Sequence, residues 1–544
     1  MDKRQPVYKP WALPIKLAAM LLAVGLLHAL SLAVPFEGTL KGEPLGWLQL
    51  LSLAVLAGIL DRTHSSKQAF TTGWLFGVAW LIGSTWWLFI SMNTYGGLPA
   101  ALAAAAVALL AAGLAVIYGA ACAVFHAVSK SGVGVIGRAS AFAAAWALAE
   151  MVRGTILTGF PWGAAGYAHV DSVLQHWAPW VGVYGLCALS AFIAMAVSAQ
   201  RKNYRKPTRA SQLGVVVMLG VLSYTWFTSP SRSVTGGNRA AKPITVTLLQ
   251  GNIPQDLKFG DGVNRALRDY REALLTSTSD LTVTPETAIP LIQQQMPERY
   301  WGMLETYFSK GTQAALIGLP LATRSEQGQL QYSNSVVALM PQATPASTAS
   351  YQYNKHHLVP FGEFVPPFFQ WFVRLMNIPL GEFTRGEVAQ PNLHLKGERI
   401  APNICYEDLF GEELARSFAN PDDAPTLMVN LSNIAWFGDT VAIDQHLNIS
   451  RMRALELGRP MLRATNTGAT AIINAQGEVT HRLPSSVQGA LTAEVYGEHG
   501  PVTPYACWVS AWGLWPLAIL AVLTLLVAAL MVHASRHDQR RFGT

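Results

Sequence analysis

The sequence predicts a polytopic α-helical membrane protein that carries one large α/β domain outside the lipid. Three observations lead there. Of 544 residues, 51% are hydrophobic and only 13% are charged, about half the charged share of a soluble domain. The apolar residues gather into eight runs long enough, or nearly so, to cross a bilayer, which takes about 20 residues each. Between the seventh and eighth runs lies one stretch, residues 229–507, with no long apolar run. Four cysteines exclude a disulfide scaffold, and the aromatics and low charge exclude disorder. The net charge of +7 suits an anionic membrane surface before nucleic acid.

The candidate spans are residues 11–34, 46–60, 69–91, 98–126, 133–152, 179–198, 212–228 and 508–533. The second is short enough to be re-entrant. The first is too long for a cleavable signal, and other spans follow it. Basic residues mark the cytoplasmic side. They cluster at Lys3, Arg4 and Lys9, at Arg62 and Lys67, at Lys130, at residues 201–209 and at Arg536, Arg540 and Arg541. All fall on one side only if all eight runs cross. Both termini are then cytoplasmic and the large domain is periplasmic. The expected division is residues 1–228 as a seven-span membrane domain, 229–507 as the catalytic domain, and 508–544 as the last helix and tail. Residues 229–239, rich in Ser and Arg, read as a linker.

In the large domain, short β-rich runs alternate with helical stretches, the pattern of layered α/β sheets. Strands are expected at residues 244–249, 281–284, 314–319, 333–339, 400–404, 426–430, 469–473 and 490–495, and helices at 263–277, 297–309, 409–419 and 441–457. Polar clusters follow several strands: Gln250-Gly251-Asn252, Pro285-Glu286, Cys405-Tyr406-Glu407 and Ser432-Asn433. Sites in α/β folds form at the carboxyl ends of strands.

Cys405 stands at a strand end before a helical stretch, a setting that favours a thiolate nucleophile. It reads equally as a core cysteine, or as half of a disulfide with Cys507. Cys122 and Cys187 lie in apolar runs and read as small fillers. Glu286, after a strand and a proline, is a candidate general base or a solvated loop residue. Lys355 is a candidate oxyanion stabiliser or a surface lysine. His356 and His357 offer a Cys–His alternative, and Glu363 a partner for Lys355 or a turn residue.

The motifs Gln250-Gly251-Asn252-Ile253-Pro254-Gln255, Pro285-Glu286-Thr287-Ala288-Ile289-Pro290, Cys405-Tyr406-Glu407, the 355–363 segment and residues 446–468 resemble the apolipoprotein N-acyltransferase family of the nitrilase superfamily. Thr158-Gly159-Phe160-Pro161-Trp162 in the membrane part does so too. The resemblance implies a nitrilase-like α-β-β-α sandwich, with Cys405 as nucleophile, Glu286 as base and Lys355 as oxyanion stabiliser. It gives Glu363, Tyr406 and Glu407 supporting places, with the Tyr406 amide as a second oxyanion donor. Trp162, Trp436 and Phe259 line the lipid route in this reading. The sequence departs from the family pattern at Thr284, Phe259 and Ile434, none of which removes a catalytic atom.

The activity implied is transfer of a fatty acyl chain from a phospholipid, through a Cys405 thioester, to the N-terminal α-amine of a diacylglyceryl-cysteine apolipoprotein. The setting is the bacterial inner membrane, and no cofactor, metal or nucleic acid is implied. A membrane-tethered amidase of the same superfamily and a transporter or sensor with an external domain are the alternatives. A transporter is expected to carry charges inside its spans. The main candidates, Glu150 and Arg153, read as a structural pair.

Overall fold

A computed structural model describes residues 13–129, 133–202, 242–341, 351–366 and 382–542. The chain divides into two units. One holds the described residues of Met1–Trp86, Ala104–Thr228 and Leu514–Thr544, the other those of Trp87–Ala103 and Ser229–Gly513.

In the first unit the apolar runs form helices, because a backbone in lipid must satisfy its own polar groups. These are α1 (Ile15–Leu30), α2 (Gly46–Leu60), α3 (Ser66–Thr85), α4 (Ala100–Val128), α5 (Val135–Thr155) and α6 (Ala178–Lys202). Four stretches among the described residues are long and apolar enough to cross a membrane: Ala100–Val128, Val135–Thr158, Val173–Ala199 and Trp515–Ser535. Ser66–Thr85 with Leu88–Tyr95 adds a fifth if that broken pair is one span, while α1 and α2 are apolar but shorter. The candidate span 212–228 and the linker 229–239 lie outside the described residues.

Small residues set the helix spacing. A Cβ on Gly25 would sit 2.4 Å from the Phe76 carbonyl, and one on Gly73 2.5 Å from the Cys122 sulfur, so α1, α3 and α4 approach backbone to side chain. Cys122 and Cys187 are buried fillers. Glu150 and Arg153 do pair, at 2.7 Å. Tyr118 bridges them, and Arg153 also donates to the carbonyls of Phe160 and Trp162 at 2.6 and 2.7 Å. A buried charge pair satisfied on this scale ties the Thr158–Trp162 turn to its helix.

The second unit is a four-layer α-β-β-α sandwich. One sheet has the order β12-β1-β2-β3-β4-β5 and the other β11-β10-β9-β8-β7-β6. The first comprises β1 (Ile244–Gln250), β2 (Leu281–Val283), β3 (Ala314–Arg324), β4 (Leu330–Leu339), β5 (Gln352–Asn354) and β12 (Gly489–Val495). The second comprises β6 (Leu393–Leu395), β7 (Glu398–Ile404), β8 (Leu427–Ser432), β9 (Met461–Thr465), β10 (Ala471–Ile473) and β11 (Val479–Arg482). β1–β2–β3 and β7–β8–β9 run parallel.

Alternation along each strand explains the layers. In β3, Ala314 and Leu316 face the inter-sheet core, while Ala315, Ile317 and Leu319 face α7 (Gly262–Thr276) and α8 (Tyr300–Lys310). Both faces are apolar because both are covered. α9 (Ala442–Leu457) lies beside the second sheet, and α10 (Pro504–Trp512) follows β12.

Each of the eight expected strands overlaps an observed one, with 284, 426 and 469–470 falling just outside. Four more were not expected. β5 and β6 have three residues each, β11 is mostly exposed, and β9 carries the charged Arg463 inside its apolar run. The expected helix 409–419 is instead a 3-10 turn at Cys405–Leu409, one α-turn at Gly411–Leu414 and another 3-10 turn at Ala415–Phe418. The apolar run 508–533 breaks at Gly513 (φ +59), and its long helix, α11, is Trp515–Phe542.

Candidate active site

The parallel strands of the two sheets deliver the chemistry at their carboxyl ends. Glu286 lies three residues past β2, Cys405 directly follows β7, and Asn433 directly follows β8. Lys355 directly follows β5, whose Asn354 pairs with Ser335 of β4, beside Asn334. Gly318 on β3 backs the Glu286 loop so closely that a Cβ there would lie 2.3 Å from the Pro285 carbonyl. Cys405 has φ +53, the left-handed region that a non-glycine residue adopts only where its surroundings compel it.

These elements bring Glu286, Lys355 and Glu363 into one buried cluster beside the partly exposed Cys405. The Lys355 ammonium donates to Glu286 Oε1 at 3.2 Å and to Glu363 Oε1 at 2.9 Å. Asn334 Nδ2 donates to the same two oxygens at 2.8 and 2.7 Å. Glu286 Oε2 accepts from the Asn433 amide at 2.9 Å, and Glu363 Oε2 from the Val359 amide at 2.8 Å. Lys355 is 1% exposed, so the surface-lysine reading does not hold.

Charge follows from these contacts. Burial pushes Glu286 up, but Lys355 and then Lys258 more than offset it, and the carboxylate sits below its ordinary value. Burial pushes Lys355 down, and Glu286 and Glu363 overcome that, so its ammonium is held more firmly than usual. Burial and the Glu286 charge push the Cys405 thiol up to about 12, while Lys355, the Ser432 hydroxyl and the Asn433 amide oppose the rise. All four cysteines are free, so no disulfide joins Cys405 to Cys507.

Glu407 builds the floor. Its carboxylate accepts from the amides of Ile404 (2.6 Å), His356 (2.7 Å) and His357 (3.2 Å) and from the Tyr353 hydroxyl (2.9 Å). It thereby clamps the end of β7 to the segment that carries Lys355. Neither histidine serves the thiol. The His356 ring bonds the Gly386 carbonyl at 2.7 Å, and the His357 ring bonds Glu413 at 3.0 Å and stacks on Phe410. Tyr406 is buried next to Cys405. Phe259 is 63% exposed on the loop before α7, and Trp436 is half-buried, edge-on to Tyr95 at 5.8 Å. Trp162 is buried in the membrane unit.

Sequence reasoning gave no role to Lys258, Asn334 or Asp408, and marked Asn433, Gln255, Asn466, Arg463 and His446 only as members of polar clusters or motifs. Lys258 donates to the Glu286 main-chain carbonyl at 3.0 Å. The Asn433 side chain joins Gln255 at 2.8 Å and Asn466 at 3.1 Å, and Asn466 clasps Ile253 through both its amide and its carbonyl. Beneath Cys405, Asp408 pairs with Arg463 at 2.8 Å, and Arg463 reaches His446 at 3.1 Å. The available signal was polar residues inside apolar strand runs, such as Asn334 in β4 and Arg463 in β9. No group of His, Cys, Asp and Glu among the described residues has the arrangement of a metal site.

Comparison with known proteins follows the same division of the chain. The family model described as Apolipoprotein N-acyltransferase N-terminal domain matches residues 24–196, and that described as Carbon-nitrogen hydrolase matches residues 245–499. An apolipoprotein N-acyltransferase of Verminephrobacter eiseniae is 49% identical over 93% of this chain and 94% of its own. Those of Ralstonia nicotianae and Bordetella bronchiseptica are 43% and 39% identical, over 90% and 94% of this chain and 90% and 96% of theirs. With identity of this order running through both units, the chain belongs to the apolipoprotein N-acyltransferase family.

Proposed function

We propose that Cys405, Glu286 and Lys355 carry the acyl transfer of this family as two half-reactions on one sulfur. The protein is an acyltransferase of lipoprotein maturation. In the first half-reaction Cys405 attacks an ester carbonyl of a phospholipid while its proton passes to Glu286. With the thiol at about 12 and Glu286 below its ordinary range, the resting proton sits on sulfur, so transfer accompanies carbon–sulfur bond formation. The negative charge that develops on the ester oxygen meets the Lys355 ammonium, with the Tyr406 amide as second donor. The tetrahedral adduct expels the alkoxide of the lysophospholipid, Glu286 returns the proton to it, and a thioester remains.

In the second half-reaction the α-amine of a diacylglyceryl-cysteine apolipoprotein attacks the thioester. Glu286 takes an amine proton, the amide forms, and the thiol is restored. One nucleophile serving two substrates in turn gives ping-pong kinetics. Phe259, Trp436 and Trp162 line the lipid route in this reading, and Glu363 and Glu407 hold the site. The protein sits in the bacterial inner membrane with both termini cytoplasmic and the 229–507 domain periplasmic, served by a membrane domain at 1–228 and a final helix at 508–544.

The observation that carries this reading is the convergence of Glu286, Lys355 and Glu363 around one strained cysteine. The mass of protein isolated from membranes tests it. A fatty-acyl adduct on Cys405 is expected, absent in Cys405→Ala and in Glu286→Gln. An adduct at any other residue, or none in enzyme that acylates apolipoprotein, would remove the thioester.

A further inference from the structure

Two carboxylates, Glu286 and Glu363, converge on the single ammonium of Lys355. One positive charge against two negatives is an unbalanced set for a site out of contact with water. The second ammonium comes from Lys258, on the loop between β1 and α7. It is 4% exposed, and its Nζ donates to the Glu286 main-chain carbonyl at 3.0 Å. A lysine is buried this deeply only where a partner compensates the loss of water.

We propose that Lys258 is a second positioning lysine of the acyl-transfer site: it ties down the main chain of Glu286 and supplies the positive charge that balances the carboxylate pair. The assignment rests on Glu286 acting as the base. Several further features support it. Lys258 faces the Glu286 carboxylate, and the Cys405 sulfur once it is ionised, and burial lowers its own pKa to about 8, so its charged form prevails at neutral pH. Its charge is one of the two that hold Glu286 below its ordinary range, after that of Lys355. The remaining groups at hand are Asn334 and the Asn433 amide on Glu286, Glu363, Glu407 and His446 around Lys355 and Cys405, and Asp256 on the loop of Lys258 itself. Among the described residues, Lys355 and Lys258 are the cations whose charge lowers Glu286 most.

The test is the pH profile of Cys405 acylation in the full-length enzyme. Single-turnover adduct mass is followed in mixed micelles of detergent with phosphatidylethanolamine and phosphatidylglycerol. Loss of a cation that helps hold a carboxylate below its ordinary value raises that carboxylate, by about one pH unit where the charge lies within about 4–6 Å. Lys258→Met is therefore expected to shift the acidic limb upward by about that much, and Lys258→Gln to do the same while keeping a donor to the carbonyl. Lys258→Arg keeps the charge and restores the limb. A purely structural lysine would lower the rate equally at every pH. If Lys258→Met does not fold, Lys258→Gln decides. A folded Lys258→Gln with the native limb overturns the proposal. Loss of the base reading itself appears separately, as an acidic limb that persists in Glu286→Gln.

Discussion

Glu286 and Glu363 share the Lys355 ammonium through one oxygen each, and Asn334 donates to the same two oxygens. This arrangement orients the ammonium and leaves it no freedom to follow solvent. Aimed at a developing oxyanion, such a donor stabilises the transition state more than the ester. Removing one donor of this kind costs about 10²–10³ in rate, or roughly 3–4 kcal/mol. Lys355→Met is expected to slow Cys405 acylation by that factor, measured as single-turnover adduct mass in folded protein. The pH dependence has a definite sign. Glu286 is depressed in the folded protein, so it stays ionised well below neutrality, and its contribution is lost as pH falls through its lowered value. The limb that belongs to Glu286 is expected below the ordinary glutamate value of about 4.3, separate from that of Glu407, which burial pushes up to about 7, as read from rate against pH.

At the scale of elements, Glu286, the proposed base, is held by a strand it does not belong to. β3 passes so close to the Pro285–Thr287 turn that a Cβ on Gly318 would meet the Pro285 carbonyl at 2.3 Å, the Thr287 amide nitrogen at 2.9 Å and Glu286 Cα at 3.0 Å. Backbone atoms on all sides cannot yield as a side chain would. Gly318→Ala is expected to cost about 1–3 kcal/mol of stability by overpacking and to lower acylation more than tenfold by displacing Glu286. Gly302 on α8 has no atom within 4 Å of an added Cβ. Gly302→Ala is therefore expected to be neutral or stabilising by up to about 1 kcal/mol. Thermal melting and acylation of the two variants check both outcomes. Glu407 works at the same scale. Four donors from β7, β5 and the Lys355 segment meet on one carboxylate, so the elements bearing Cys405 and Lys355 are clamped by a single side chain.

For the whole molecule, the distribution of basic residues predicts which compartment each end occupies. Gln327, exposed on the turn between β3 and β4, and Arg541 in the tail report on opposite sides. In a background without the native cysteines, Gln327→Cys is expected to react with a membrane-impermeant maleimide on cells whose outer membrane alone is opened. Arg541→Cys is expected to react only after the inner membrane is opened. Equal labelling of both would place the domain and the tail together and undo the topology.

The sequence by itself determined the apolar helices, the alternating strands and the residues whose local setting marks them as chemical. Each of these is a short-range property. Hydrophobic runs and period-two alternation are written in neighbouring residues, and Cys405 and Glu286 stand just past expected strands, whereas Lys355 follows the unexpected β5 and was marked by the motif around it. Tertiary structure alone decided what meets what. Lys258 lies 28 residues from Glu286, Asn334 lies 48, and Asn433 lies 147; no local pattern distinguishes the first two from loop or strand polars elsewhere, and the strand-end setting of Asn433 does not say what it meets. Tertiary structure also turned His356 and His357 away from the thiol, toward Gly386 and Glu413. It divided the expected helix 409–419 into short turns around the buried Asp408–Arg463 pair. Burial removes water as the partner of every charge, so the partners must come from other elements, and which elements those are is a property of the packed sheets rather than of the chain.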